Sequence, residues 1–345
     1  MTFHFNHNRK ATTVVENTNN NTAIITTINE VRAKIANQLR ANEQEIFFTN
    51  EMPTTLYDTL LQYLQIIAAS KNEALVCVTE EPWMLHCMQL LIEQGLQVHW
   101  IPVDRGGMAD IEFIKKNCNE KTLFVNVMLA NAETGVMQDI ESIANIASAH
   151  ESLMISNCSH AIGKIDFDVI QFPAQLICLS VSTVGGPLQL GAVYMLDDKR
   201  TGSIKAAIQE KNIALPDVIA FEKSLVGAFQ NLWNFASHTS YLRTYFEQKM
   251  EYMFPNAVRI NGLIKHRLPN TTCICFEGMQ DSNILRDIRE LLGIRQEDLM
   301  HTMNVLKCMQ LSDADAKASI SFSFGMENSV AQLEKIAKKI LNSDF

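Results

Sequence analysis

Three stretches between Val125 and Leu196 decide how this chain reads: VNVMLANAETGVMQDI at 125–140, LMISNCSHAIGKI at 153–165 and LICLSVSTVGGPLQLGAVYML at 176–196. Each opens as an apolar strand that ends in a small or polar cluster, and a helical stretch separates the first two. Short apolar strands alternating with helices are the pattern of a parallel α/β sheet, whose strands are covered on both faces. Such sheets bind ligands beyond the carboxyl ends of their strands. Here those ends are Asn131-Ala132-Glu133, Asn157-Cys158-Ser159-His160 and Ser180-Val181-Ser182-Thr183.

Working outward, helices are expected over Trp83 to Glu93, Asp110 to Asn117 and Asp139 to His150, the last clear from its apolar spacing. Strands are expected over Glu45 to Thr49, Ala74 to Thr79, Gln97 to Val103 and Leu123 to Met128. Residues 1–30 read as an irregular arm because of the polar run Glu16-Asn17-Thr18-Asn19-Asn20-Asn21-Thr22. Leu215-Pro216 opens a long, bent helical region reaching about Tyr252.

A length of 345 residues allows a large core and two domains. With 47% apolar and 19% charged residues the composition is that of a soluble globular protein. A formal charge of −9 leaves no basic face for phosphates and argues against a nucleic-acid partner. The opening MTFHFNHNRK has no apolar core, and no apolar run is long enough to span a membrane, so the cytoplasm is the expected location. The eight cysteines are scattered, mostly in apolar segments, and read as buried free thiols. Cys273 and Cys275 share one strand face, but no second Cys or His pair stands at a ligand-like spacing, so no metal is expected.

The central block resembles the cofactor-binding heart of the cysteine desulfurases, which are class V, fold-type I pyridoxal-phosphate enzymes. Their pattern is roughly V-M-x-x-N-N-E-x-G, V-D-x-x-Q-x-x-G-K and S-x-H-K-x-x-G-P-x-G-x-G. The frame is kept without a gap: Glu133 to Asn157 is 24 residues and Asn157 to Thr183 is 26. The resemblance implies an α/β, fold-type I aminotransferase-like fold with a mostly parallel central sheet sandwiched by helices over 31–252. A smaller α+β domain over 253–345 follows, where Val258-Arg-Ile-Asn-Gly262, Arg267-Leu-Pro-Asn270 and Thr272 to Phe276 track the family.

The chemistry of that family is not kept. Its Schiff-base lysine falls on Thr183, whose hydroxyl cannot form an imine, and its pyridine-binding aspartate falls on the neutral Asn157. Ser180 keeps its identity, and Ser182 precedes Thr183 in the same motif. The stacking histidine is replaced within Glu80-Glu81-Pro82, so the carboxylate of Glu81 stands where an aromatic face is usual. The phosphate loop reads Glu51-Met52-Pro53-Thr54, which adds an acid and, at Pro53, removes an N–H donor. Asn131 is retained, but Ala132 replaces the asparagine that touches the cofactor hydroxyl, and His160 holds a glutamine position. Lys164 matches a family G-K that lies off the site. Ala214 falls where a threonine reaches the partner subunit's phosphate, the stretch from Asn283 to Met300 lacks the persulfide cysteine, and Ser321 replaces the carboxylate-binding arginine.

No catalytic residue, cofactor-binding residue or bound pyridoxal phosphate is therefore expected. The leading expectation is a catalytically inactive cysteine desulfurase-like protein acting as a binding, regulatory or scaffold subunit. It would form a homodimer, or a heterodimer with an active paralogue. Two other classes stay open: an enzyme reusing Glu81, Glu133 or His160 as acid or base, and a metabolite-binding protein. The first predicts a filled pocket, the second a carboxylate of raised pKa facing an open cavity, the third stabilisation by a ligand without turnover.

Overall fold

The computed structural model describes residues 18–205, 208, 210–280, 283–292 and 294–342. Its large sheet is built from β1 (Ile46–Thr49), β2 (Glu73–Cys77), β3 (Gln97–Ile101), β4 (Thr122–Asn126), β5 (Leu153–Asn157), β6 (Leu176–Ser180) and β7 (Gly191–Met195). They join in the order β1-β7-β6-β5-β4-β2-β3. Strands β2 to β6 pair in parallel, and β7 runs against both β6 and β1. The stretch 176–196, read as one strand, thus contains two. Between them a 3-10 turn at Ser182–Val184 ends on Gly185 at φ +83°. Gly186 follows so close to Val181 that an added Cβ would lie 2.2 Å from its Cγ2. Only glycines make that reversal cheaply.

Helices α1 (Thr18–Leu39), α2 (Met52–Ile67), α3 (Pro82–Glu93), α4 (Ile111–Asn117), α5 (Ile140–Ala149) and α6 (Leu215–Gln230) flank the sheet. Alternate residues of a strand face opposite ways. In β2, Leu75 and Cys77 enter a core with Ile35 of α1, Ile114 of α4, Ile143 of α5 and Phe221 of α6. Ala74 and Val76 enter a second core with Leu60 of α2 and Met88 of α3. The sheet is therefore sandwiched, as expected. Asp110 caps α4 by accepting from Phe113 N at 2.9 Å, and Asp139 caps α5 by accepting from Ser142 N at 3.1 Å.

The irregular arm expected over 1–30 is helical from Thr18 onward. Asn and Thr are poor helix formers, so local propensity pointed to a loop. The stretch continues a helix anchored further on, where Val31, Ile35 and Leu39 lie in the large core and α1 packs along α6. Residues 1–17 of that arm lie outside the described residues.

The rest of the chain forms α7 (Leu232–Met253), β8 (Val258–Asn261), β9 (Thr271–Phe276), α8 (Asn283–Leu292), α9 (Gln296–Cys308), α10 (Asp313–Lys317), β10 (Ser319–Ser323) and α11 (Val330–Asn342). Strand β9 sits between β10 and β8, antiparallel to both. The long helical region is broken at Asn231, and α7 places Leu242, Phe246 and Met250 in a third core with Ile274 of β9 and Phe322 of β10. Core membership passes from Leu225 of α6 to Leu242 of α7 within this helical region. Val305 and Leu306 of α9 belong instead to the large core, which seats the smaller unit on the sheet.

Candidate functional site

Strands β4, β5 and β6 are neighbours, so their carboxyl ends open side by side. Beyond them lies a cleft of about 1010 Å³ between the two units. Ala132, Glu133, His160 and Thr183 line it from the sheet side, and Thr302 of α9 and Ser321 of β10 line it from the other.

The turn after β4 is fixed by Asn131, which is 3% exposed. Its Oδ1 accepts from the N–H groups of Glu133 and Thr134, both at 3.0 Å, and its Nδ2 donates to Thr79 O at 3.3 Å. Asn157 turns the chain after β5, with Oδ1 accepting from Ser159 N at 3.1 Å. After β6, the Ser180 and Ser182 hydroxyls bond each other at 3.0 Å. Thr183 is exposed and donates from Oγ1 to Ser159 O at 3.2 Å. These polar side chains are engaged in holding the loops.

The carboxylate of Glu81 accepts short hydrogen bonds from both His160 Nε2 and Trp83 Nε1. Burial works to raise its pKa, but the bonds from His160 and Trp83 outweigh burial and hold the carboxyl below its usual range. Its neighbour Glu80 is in the opposite condition. Burial pushes it up to about 8, against a single bond from Met128 N at 2.5 Å, and its Oε2 has no partner. Glu133 is also raised by burial, although Thr302 Oγ1 donates to its Oε2 at 2.5 Å and His301 Nε2 lies 3.9 Å from its Oε1. Ser321 Oγ donates to the Glu133 backbone oxygen at 2.7 Å. Glu133 therefore ties the small unit to the sheet through both side chain and main chain.

A family model described as Aminotransferase class-V matches residues 2–205, more than half of the chain. The chain belongs to the class-V aminotransferase family. Among curated proteins it is similar to the cysteine desulfurase IscS of Neisseria meningitidis serogroup A, at 26% identity over 327 residues, covering 91% of this chain and 80% of the relative. It is also similar to the cysteine desulfurase IscS of Clostridium botulinum, at 26% over 324 residues, covering 90% and 81%. Among solved structures, a NifS-like protein shares the fold with a TM-score of 0.83 at 22% identity, covering 93% of this chain and 88% of that one. The apo cysteine desulfurase of Thermococcus onnurineus NA1 does so with a TM-score of 0.77 at 15% identity, covering 93% and 84%.

In this class-V chain the structure gathers the expected positions unevenly. Ala132, His160, Thr183 and Ser321 line the cleft. Pro53 starts α2 with no side-chain cap from Glu51, and Asn131, Asn157, Ser180 and Ser182 support the loops behind the cleft. Glu81 meets the cleft through His160, whose ring nitrogen is hydrogen-bonded to its carboxylate. Lys164, expected off the site, is corrected by the structure: it lines the cleft, 6% exposed, and burial lowers its pKa to about 8. The turn through Gly163 carries it there. Thr302, Lys223 and Arg289 also line the cleft. No motif marked them; Lys223 comes from α6 of the large unit, and Thr302 and Arg289 come from helices whose position depends on how the second unit docks.

Proposed function

We propose that this protein is a cysteine desulfurase-like member of its family that holds no lysine-bound pyridoxal phosphate and acts by binding rather than by desulfuration. The observation that carries the reading is Thr183 at the end of β6. In the sheet position of the family's imine lysine, it offers a hydroxyl hydrogen-bonded to Ser159 O. The residues around it suit the cofactor no better. A neutral amide at Asn157 has its oxygen on Ser159 N, and an ionised Glu81 is tied to His160 and Trp83 where a ring would stack. At α2, Glu51 and Pro53 bring a negative charge and a missing donor to a helix start that would receive the phosphate.

The binding role extends to partners. The partner this reading expects is a docked chain, either a second copy or an active paralogue. Descent from sulfur-transferring enzymes points to sulfur or iron–sulfur metabolism as the setting. The cleft is open, not filled as a purely scaffolding role predicts, and this favours retention of a small ligand. A second reading rests on the Glu81–His160 pair beside that cleft and on Glu133, a half-buried carboxyl of raised pKa: acid–base chemistry in the old pocket.

Titration with pyridoxal phosphate, followed by visible absorption, borohydride reduction and peptide mapping, tests the main reading. The expected result is no stoichiometric imine and no sulfide release from cysteine. One equivalent of cofactor reduced onto a single lysine, Lys164 included, overturns it.

A further inference from the structure

The cleft wall contains cations that the protein does not neutralise. Lys164 follows β5 in the large unit and is 94% removed from solvent by the 6% exposure of its residue. Among the described residues no carboxylate or hydrogen-bond acceptor meets its ammonium, and burial alone accounts for the pull on its proton. Arg289 of α8 faces the same cleft from the small unit. Its Nη2 donates to Lys317 O, its Nε is buried without a partner, and again burial is the sole perturbation. Lys223 stands exposed on α6 at the cleft edge.

Folded proteins rarely bury a cation without an opposing charge, because desolvation costs several kcal/mol unless a partner offsets it. This chain has 38 acidic residues against 29 basic ones, so acids are abundant. Those in the cleft are turned elsewhere. Glu133 is held by Thr302, Asp298 is bonded to Arg295 at 2.8 Å, and Glu327 is exposed.

We infer that the cleft is a receptor for a small carboxylate-bearing anion, held between Lys164 of the large unit and Arg289 of the small one. This rests on the reading that no lysine-bound cofactor fills the cleft, and it names the ligand class. A planar guanidinium matches a carboxylate, and a compact ammonium supplies the second charge. Phosphate is disfavoured because neither cation stands at a helix start with free amides. Binding would draw both units onto one ligand and supply the missing counter-charges.

The test is calorimetric titration of the full chain with succinate at low salt, with neutral succinamide and inorganic phosphate as comparisons. Succinate is expected to bind with one site per chain, weakening as salt rises. K164Q and R289Q should each weaken it at least tenfold, and K115Q, on α4 outside the cleft, should leave it unchanged. Absence of succinate binding, equal affinity for succinamide, tighter phosphate binding, or insensitivity to K164Q and R289Q each overturns the inference. If K164Q melts early, K164R decides: a folded K164R that binds supports the site, and one that does not bind refutes it. The two readings fail separately. Imine formation with pyridoxal phosphate sinks the parent reading, whereas a chain that forms no imine and binds no succinate sinks only the anion site.

Discussion

At the scale of single residues, Glu80 shows how burial without full pairing becomes a pH dependence. It is 1% exposed, accepts one backbone bond and leaves one oxygen orphaned. Its carboxyl titrates near 4.5 when unfolded and near 8 when folded. Between those values the folded chain keeps a proton that the unfolded chain has released. Its contribution to stability is whole below about pH 4.5, falls as pH rises, and is lost once the folded group ionises near pH 8. E80Q replaces the protonated acid by a neutral amide that still accepts from Met128 N. The melting temperature of E80Q should therefore exceed that of the parent at pH 8, by an effect on the order of 1–4 kcal/mol, and approach it at pH 5. Parallel melting curves for the two proteins from pH 5 to pH 8 would show that Glu80 does not titrate in this way.

At the scale of elements, the cleft depends on how closely the turn after β5 meets α6. Gly163 has φ +68°, and a Cβ placed on it would lie 2.5 Å from the Ala228 Cβ. G163A thus imposes both a left-handed strain and an overpacked contact, together about 2–4 kcal/mol. Urea unfolding should show that loss. A midpoint equal to the parent's would mean that α6 yields freely and that the close approach is incidental. This contact also marks the limit of what the sequence told. The strands at 125–196 and the helices with Asp110 and Asp139 at their starts were legible, because apolar runs and capping residues act locally. The helical Asn-rich start of α1 was not, since Asn and Thr are poor helix formers and the start continues a helix whose later turns are anchored in the core. Thr183, Asn157 and Ser321 were singled out by the family resemblance; Asn157 ends β5, Thr183 follows β6, and Ser321 lies in the middle of β10. Lys164 was misplaced because reaching the cleft depends on the Gly163 turn, whose geometry no spacing records. Arg289 and Thr302 were invisible for the same reason: they enter the cleft only once a separate unit has docked.

At the scale of the whole molecule, one glutamate links the two units across the cleft. Glu133 belongs to the turn after β4, yet its carboxylate receives the Thr302 hydroxyl of α9 and its backbone oxygen receives the Ser321 hydroxyl of β10. Apolar packing of Val305 and Leu306 into the large core seats the same helix. Packing sets the gross docking, and the two hydroxyls fix the angle at which the units meet. A hydroxyl bonded to a carboxylate contributes about 1.5–3 kcal/mol and one bonded to a neutral oxygen about 1 kcal/mol. Each loss is small beside the apolar contacts, so T302V with S321A should not separate the units or unfold either of them. It should loosen their hinge. Amide exchange in α9 and β10 is expected to quicken several-fold while β4 and β5 stay protected, with little change in the helical circular dichroism. Uniform acceleration through β4 and β5 would mean that the pair supports global stability instead. Unchanged exchange in α9 would mean that packing alone holds the angle, and that the cleft's width is set without Glu133.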